Sequence, residues 1–159
     1  MRGSGSNLKI FLLITVIMAM TISCRRSDLD PIPDVRVDFY ISLDDPQFFD
    51  LTVITGYALV NSSTNNMGVY AAGFDNNGII IYHATEDEFL AFDRTCPYDY
   101  AINNLSIAVN VDGVYAVCPE CNSTWALPSF GAPSQGPSKY PLKEYRATFD
   151  GTYIYVTNR

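Results

Sequence analysis

The chain has 159 residues, with 10 Lys and Arg against 17 Asp and Glu, so its formal net charge at pH 7 is -7. We expect no nucleic-acid partner, because neutralising phosphates requires clustered Lys and Arg. The chain has four cysteines and one histidine. These counts exclude any site that needs two imidazoles from one chain, such as a His-rich zinc centre.

Residues 1–23 are predicted to be a signal peptide. Arg2 and Lys9 give a positive start, and residues 10–20 form an apolar run that is too short to span a membrane. Small residues then precede Cys24, which resembles the lipobox of bacterial lipoprotein precursors. That resemblance implies cleavage before Cys24 and lipidation of this residue, with an ordinary secretory signal as the alternative. We therefore expect an exported protein that a lipid anchors to the membrane of the bacterial cell envelope, on its periplasmic or surface side.

Residues 24–36 are predicted to be a tether between this lipid and the domain. The segment is polar and charged and carries Pro31 and Pro33. An extended tether of this composition would hold the domain about 30 Å from the membrane. The remaining residues, 37–159, are long enough for one domain with a sizeable core.

From residue 37 onward the pattern is typical of β-structure, and no long helical period appears. Asp45 followed by Pro46 predicts one helical turn over residues 45–51. Asn-Gly and Asp-Gly pairs between apolar runs predict tight turns. The remaining predicted elements are strands over 37–43 and 51–61, hairpins over 69–82, 79–92, 106–117 and 147–156, and a Pro/Gly-rich loop over 128–141.

Lipidation of Cys24 leaves three cysteines, Cys96, Cys118 and Cys121. In an exported protein an odd number means one disulfide with a spare thiol, three ligands to a metal, or reduced and inert thiols. Cys118 and Cys121 are separated by two residues in a tight turn, which can aim both sulfurs at one point as in a metal knuckle. The residues alone leave these three alternatives open.

Residues 78–158 resemble a Rieske domain. The resemblance rests on five segments: the strand GIIIYHA, the second hairpin strand and first loop EFLAFDRTCP, the second loop VYAVCPECNSTWAL, the segment GPSKYPLKEY and a closing hairpin. The resemblance implies an all-β fold of antiparallel sheets, a partly open barrel, with two ligand-type loops. It covers about half of the chain.

The ligand positions of that family are altered in this chain. Rieske domains bind a 2Fe-2S cluster through Cys-x-His and Cys-x-x-His, one motif in each loop. Cys96 and Cys118 fall on the family cysteines, whereas Tyr98 and Cys121 occupy the histidine positions. Ser123 stands where the family has a serine that hydrogen-bonds to cluster sulfur. The resemblance thus implies a degenerate cluster site.

Two alternative cofactors suit these residues. A 2Fe-2S cluster held by the three cysteines and Tyr98 would have a potential in the low ferredoxin range, near about -400 mV. Zinc could instead take three thiolates, with water or Tyr98 in fourth place. Against any metal, Cys96 could form a disulfide with Cys118 or Cys121, or Cys118 could pair with Cys121.

The first functional hypothesis is a non-catalytic interaction or structural role in the cell envelope, with an unidentified envelope protein as partner. No catalytic residues are predicted, because the sole histidine, His83, lies within a strand where we expect ordinary packing. The alternative is an electron-transfer or metal-binding protein that uses Cys96, Cys118 and Cys121.

Overall fold

The computed structural model describes residues 30–158. Within that range the chain forms two antiparallel sheets, one of six strands in the order β1-β10-β9-β4-β3-β2 and one of four strands in the order β5-β6-β7-β8. This confirms the prediction of an all-β fold with antiparallel sheets. The strands are β1 (Asp38–Ser42), β2 (Tyr57–Val60), β3 (Ile79–Thr85), β4 (Glu88–Asp93), β5 (Asn110–Asp112), β6 (Tyr115–Val117), β7 (Thr124–Ala126), β8 (Ala132–Gln135), β9 (Glu144–Phe149) and β10 (Tyr153–Thr157).

Three of the four predicted hairpins are confirmed. They are β3–β4, β5–β6 and β9–β10, whose strands pair antiparallel. Gly113 and Gly151 have φ values of 58° and 100°, which an Asp-Gly turn requires and glycine adopts without steric cost. Alternating side chains of β1 and β10 are buried, so these strands cover the core with one face.

The prediction of a hairpin over residues 69–82 is wrong. The chain there forms 3-10 helices at Val69–Ala71 and Phe74–Asn76, and β3 pairs with β2 instead. Gly73 has a φ of 66°, and a Cβ on it would lie 2.5 Å from the carbonyl oxygen of Gly78. The two glycines thus allow a tight irregular turn immediately before β3. The strand that pairs with β3 is β2, which lies earlier in the sequence.

The helical turn predicted after Asp45 is a 3-10 helix, Pro46–Thr52, with the side chain of Asp45 accepting from the backbone N–H of Gln47. This helix includes the first residues of the strand predicted over 51–61. The observed strand, β2, is therefore shorter than predicted. The predicted loop over 128–141 likewise contains the end of a 3-10 helix, Leu127–Ser129, and the whole of β8.

A short α-helix that the sequence pattern did not indicate, α1 (Pro97–Asn103), follows β4. Its seven residues make only about two turns, which is too short for a helical period to be recognised.

The buried apolar side chains form two clusters. The first, which includes Ile41, Leu51 and Ile154, lies under the six-stranded sheet. The second includes Phe92 and Trp125 together with Cys96 and Cys118. The two cysteines therefore belong to a packed core.

The described part of the predicted tether, residues 30–36, lies against the domain. Ile32 is buried, and the ammonium group of Lys143 lies 2.8 Å from carboxylate oxygens of both Asp30 and Asp34. The predicted signal peptide and Cys24 lie outside the described residues. In residues 30–158 no helix has the length and apolar character to cross a membrane.

Candidate metal centre

Four side chains from two loops converge at one end of the second core cluster. They are Cys96, Asp99, Cys118 and Cys121, and their ligand atoms all lie within 4.8 Å of one another. Cys96 and Asp99 come from the loop between β4 and β5, whereas Cys118 and Cys121 come from the turn between β6 and β7. The structure thus brings the three cysteines together, with Asp99 beside them.

The first loop is shaped by the start of α1. Cys96 is the N-cap residue, and its Sγ accepts from the backbone N–H of Asp99 at 3.5 Å. Pro97 fits the first helical position because it has no N–H to satisfy. The side chains of Cys96 and Asp99 are three residues apart and share a face of the helix start. Asn103, one turn further, donates to Asp99 Oδ1 at 3.3 Å and so orients the carboxylate.

The second loop is a tight turn that the backbone closes. The N–H of Cys118 donates to the carbonyl of Ser123 at 2.9 Å, and the N–H of Asn122 donates to the carbonyl of Cys118 at 3.1 Å. Asn122 has a φ of 58°, a conformation that asparagine adopts more readily than most residues. This turn aims both of its cysteine side chains at the first loop.

Hydrogen bonds connect the four side chains. Cys118 donates to Asp99 Oδ2 at 3.0 Å, and Sγ of Cys96 lies 3.6 Å from Sγ of Cys121. Cys121 donates to Ser123 Oγ at 3.2 Å, and the same oxygen accepts from the backbone N–H of Ser138. All three cysteines are free thiols.

Burial decides the electrostatics of the centre. Cys96 and Cys118 are fully buried and Asp99 is 1% exposed, whereas Cys121 is half-buried. Burial, followed by the hydrogen bond to Asp99, raises the pKa of Cys118 to about 12. Burial also raises the pKa of Cys96 well above its ordinary value. Burial acts to raise the pKa of Asp99 as well, but hydrogen bonds to its carboxylate, among them those from Cys118 and Asn103, outweigh it, so this pKa lies below its ordinary value.

Three other residues considered in the sequence analysis, Ser123, Tyr98 and His83, are not among the four residues of the centre. Ser123 lies against Cys121, as described above. Tyr98 is half-buried and packs against the second core cluster. His83 lies in β3, outside the four-residue centre, and its ring stacks on Phe89 with 4.3 Å between the ring centroids.

Asp99 is the residue that the sequence reasoning missed. The Rieske resemblance directed attention to position 98, two residues after Cys96. A signal for Asp99 was present in Cys96-Pro97, because a capping residue followed by proline predicts a helix start. In such a start the side chain at position 99 returns to the N-cap residue, whereas the side chain at position 98 lies on an adjacent face.

Several solved structures are similar to this chain at low sequence identity. No family model and no curated protein matches the chain. A chain of the complex of reduced oxygenase and oxidized ferredoxin in carbazole 1,9a-dioxygenase is 15% identical, with a TM-score of 0.47, and the match covers 80% of this chain and 96% of that one. The ferredoxin of carbazole 1,9a-dioxygenase from Nocardioides aromaticivorans IC177 is 16% identical, with a TM-score of 0.43 and coverages of 79% and 100%. The Sphingomonas yanoikuyae B1 ferredoxin is 14% identical, with a TM-score of 0.43 and coverages of 80% and 100%.

Proposed function

We propose that this chain is an exported, lipid-anchored protein of the bacterial cell envelope whose domain holds one tetrahedral zinc ion in a non-catalytic, structural role. The ligands would be Cys96, Asp99, Cys118 and Cys121. The observation that carries the proposal is the convergence of their four ligand atoms within 4.8 Å.

The spacing of these atoms suits one ion. Zinc bonds to sulfur at about 2.3 Å in tetrahedral sites, so two such sulfurs lie about 3.8 Å apart. Sγ of Cys96 and Sγ of Cys121 are 3.6 Å apart. The 3.0 Å contact between Cys118 and Asp99 is a hydrogen bond, and it would lengthen to about 3.6 Å when the ion replaces the thiol proton.

The donor set points to a structural site. Structural zinc sites are closed by four protein ligands, whereas catalytic sites keep one position open for water or substrate. Three thiolates and one carboxylate complete the tetrahedron here. The ion would cross-link the loop that carries α1 to the β6–β7 turn, and this supports a role in holding a surface together for an envelope partner.

A 2Fe-2S cluster with an electron-transfer role is the second candidate. It is favoured by the Rieske resemblance and by the contact of Ser123 with Cys121 at 3.2 Å. A cluster of two irons places two ligands on each iron, so its two ligand pairs stand further apart than the ligands of one ion. The compact spacing of the four atoms favours the single ion, because the loops would have to separate to admit a cluster.

The lipid anchor is supported by the residues before Cys24. Since residues 30–36 contact the domain through Ile32 and Lys143, only residues 24–29 would lie between the lipid and the domain. Six extended residues span about 19 Å, which is shorter than the sequence alone suggests. Membrane partition tests the anchor: Cys24→Ala should release the protein from the membrane fraction, and unchanged partition would contradict lipidation.

Anaerobic purification followed by metal and sulfide analysis tests the centre. We expect about one zinc per chain, no labile sulfide, and a marked loss of zinc affinity in Asp99→Asn. Asp112→Asn is the matched control, because Asp112 is exposed at the end of β5. Iron with an equal amount of sulfide would establish the second candidate, and a metal-free protein that fails to take up zinc would overturn both.

A further inference from the structure

The centre contains a pair of thiols on different loops that are already in contact. Cys96 and Cys121 have their Sγ atoms 3.6 Å apart, and they are 25 positions apart in the sequence. A disulfide has an S–S length of about 2.05 Å, so the two sulfurs need to approach by only about 1.5 Å. We propose that peroxide oxidation joins Cys96 to Cys121 and that this bond expels the metal ion, an inference that rests on the proposed zinc site.

Exposure selects the first sulfur to react. Cys121 is half-buried, whereas Cys96 and Cys118 are fully buried. Thiol oxidation follows accessibility as well as thiolate character, and a zinc-bound cysteine is already a thiolate. A small hydroperoxide from solvent therefore reaches Cys121 before the other two thiols.

The reaction takes place in two steps. The Cys121 thiolate attacks one peroxide oxygen, the O–O bond breaks, and Cys121 becomes a sulfenic acid while the departing hydroxide takes a proton from solvent and leaves as water. The Cys96 sulfur then attacks the Cys121 sulfur, the S–S bond forms, the S–O bond breaks, and hydroxide takes a proton to leave as water. Two thiolates lose two electrons in total, solvent supplies two protons, and one hydrogen peroxide is reduced to two waters.

Cys118 is the less suitable partner for either cysteine. Its Sγ is directed to Asp99 Oδ2 at 3.0 Å, and its backbone N–H and carbonyl both take part in closing the β6–β7 turn. A bond from Cys118 to either of the other cysteines would break its contact with Asp99. The geometry thus favours the Cys96–Cys121 disulfide over the other two conceivable disulfides.

The bond would exchange one cross-link for another. Two of the four zinc ligands are consumed, and Cys118 and Asp99 alone make a poor zinc site. The disulfide connects the same two loops that the ion had connected. The domain would then remain folded in both states while it releases zinc in response to peroxide.

The experiment uses the full chain with Cys24→Ser, so that only the three thiols of the centre remain. The reduced, zinc-loaded protein is treated with one equivalent of hydrogen peroxide, and released zinc is followed with a chromogenic chelator. The remaining thiols are alkylated and the disulfide is mapped by mass spectrometry. Trypsin cannot separate the cysteines because residues 95–138 contain no Lys or Arg, but a protease that cleaves after Asp and Glu cuts at Asp99, Asp112 and Glu120.

We expect about one zinc released per chain and a linked pair of peptides that contain Cys96 and Cys121. Cys118→Ser should still form this bond, and Cys121→Ser should form no intramolecular disulfide. A dominant bond to Cys118 in the unsubstituted centre, or zinc retained after Cys96 and Cys121 are joined, would overturn the proposal. A reduced chain that binds no zinc would overturn the proposed function and the release step together, and mapping of the metal-free chain would then still decide the pairing.

Discussion

Asp93 provides a direct test of how the fold positions the first loop. Its carboxylate is fully buried and accepts three hydrogen bonds, from the backbone N–H of Phe74 at 2.6 Å, the backbone N–H of Thr95 at 2.8 Å and the hydroxyl of Tyr145 at 2.7 Å. One side chain therefore connects the 3-10 turn before β3, the residue that precedes Cys96, and β9. We expect Asp93→Ala to lower the free energy of unfolding by about 3 to 4 kcal/mol.

This magnitude follows from the donors that the substitution leaves behind. A buried donor without an acceptor costs about 1 to 3 kcal/mol, so three of them give a range of about 3 to 9 kcal/mol. Water that enters the space of the lost carboxylate can satisfy part of this need, which places the expected value at the lower end. A domain of this size is stable by about 5 to 15 kcal/mol, so the loss is a large share of the total.

Urea denaturation of the reduced, metal-free protein measures this loss. The sole tryptophan, Trp125, is fully buried and reports unfolding by fluorescence. With a slope of about 2 kcal/mol per molar urea, the midpoint should fall by about 2 M. Asp112→Ala removes an exposed carboxylate and should change stability by less than about 0.5 kcal/mol.

A double-mutant cycle separates the hydroxyl contact from the backbone contacts. Tyr145→Phe removes one donor and should cost about 1.5 kcal/mol in the natural protein but little when Asp93 is already Ala. The reasoning would be refuted if Asp93→Ala cost less than about 1 kcal/mol, or if the two substitutions were additive.

Three further predictions follow from other contacts. Burial, followed by the charge of Asp93, raises the pKa of Tyr145; a raised folded pKa gives stability that is present below the unfolded pKa and lost above it. Above about pH 10 the natural protein should therefore lose stability more steeply than Tyr145→Phe, by up to about 1.4 kcal/mol per pH unit in urea titrations. Lys143→Met removes both ion pairs of the segment before β1, and limited trypsin digestion should then cut after Arg36 faster than in the natural protein, whereas an unchanged rate would show that other contacts hold the segment. Tyr98→Phe should leave the zinc affinity within about twofold in a chelator competition, and a large drop would identify the phenolate as a ligand.

The hairpins show what local sequence can and cannot predict. The Asp-Gly pairs at 112–113 and 150–151 mark true hairpins because the strands they join are adjacent in sequence. Asn77-Gly78 carries the same signal, but β3 pairs with β2, whose residues 57–60 lie well before the turn. The intervening chain is held by a long-range contact of Phe74 with Asp93. A local pattern predicts a tight turn, but not which strand the following segment will pair with.

The candidate metal centre was likewise predictable from the sequence only in part. Spacing and the family resemblance indicated the three cysteines, because both can be read from the sequence alone. The fourth candidate ligand could not be read in this way, since it depends on seven residues of helix that begin at Pro97. Helix geometry favours Asp99 over Tyr98 for a shared ion, because adjacent helical positions do not face the same point.

The hydrogen bonds within the centre bear on how metal binding and folding are related. Cys118 donates to Asp99, Cys121 donates to Ser123, and Cys96 accepts from the backbone of Asp99. Buried polar groups that have partners carry no large desolvation penalty, so these hydrogen bonds offset part of the cost of burying the four side chains. Classical zinc fingers are unfolded without their ion. Here the second core cluster, with Trp125 and Phe92, packs beside the centre, so we expect removal of a bound ion to lower the stability of the domain without unfolding it.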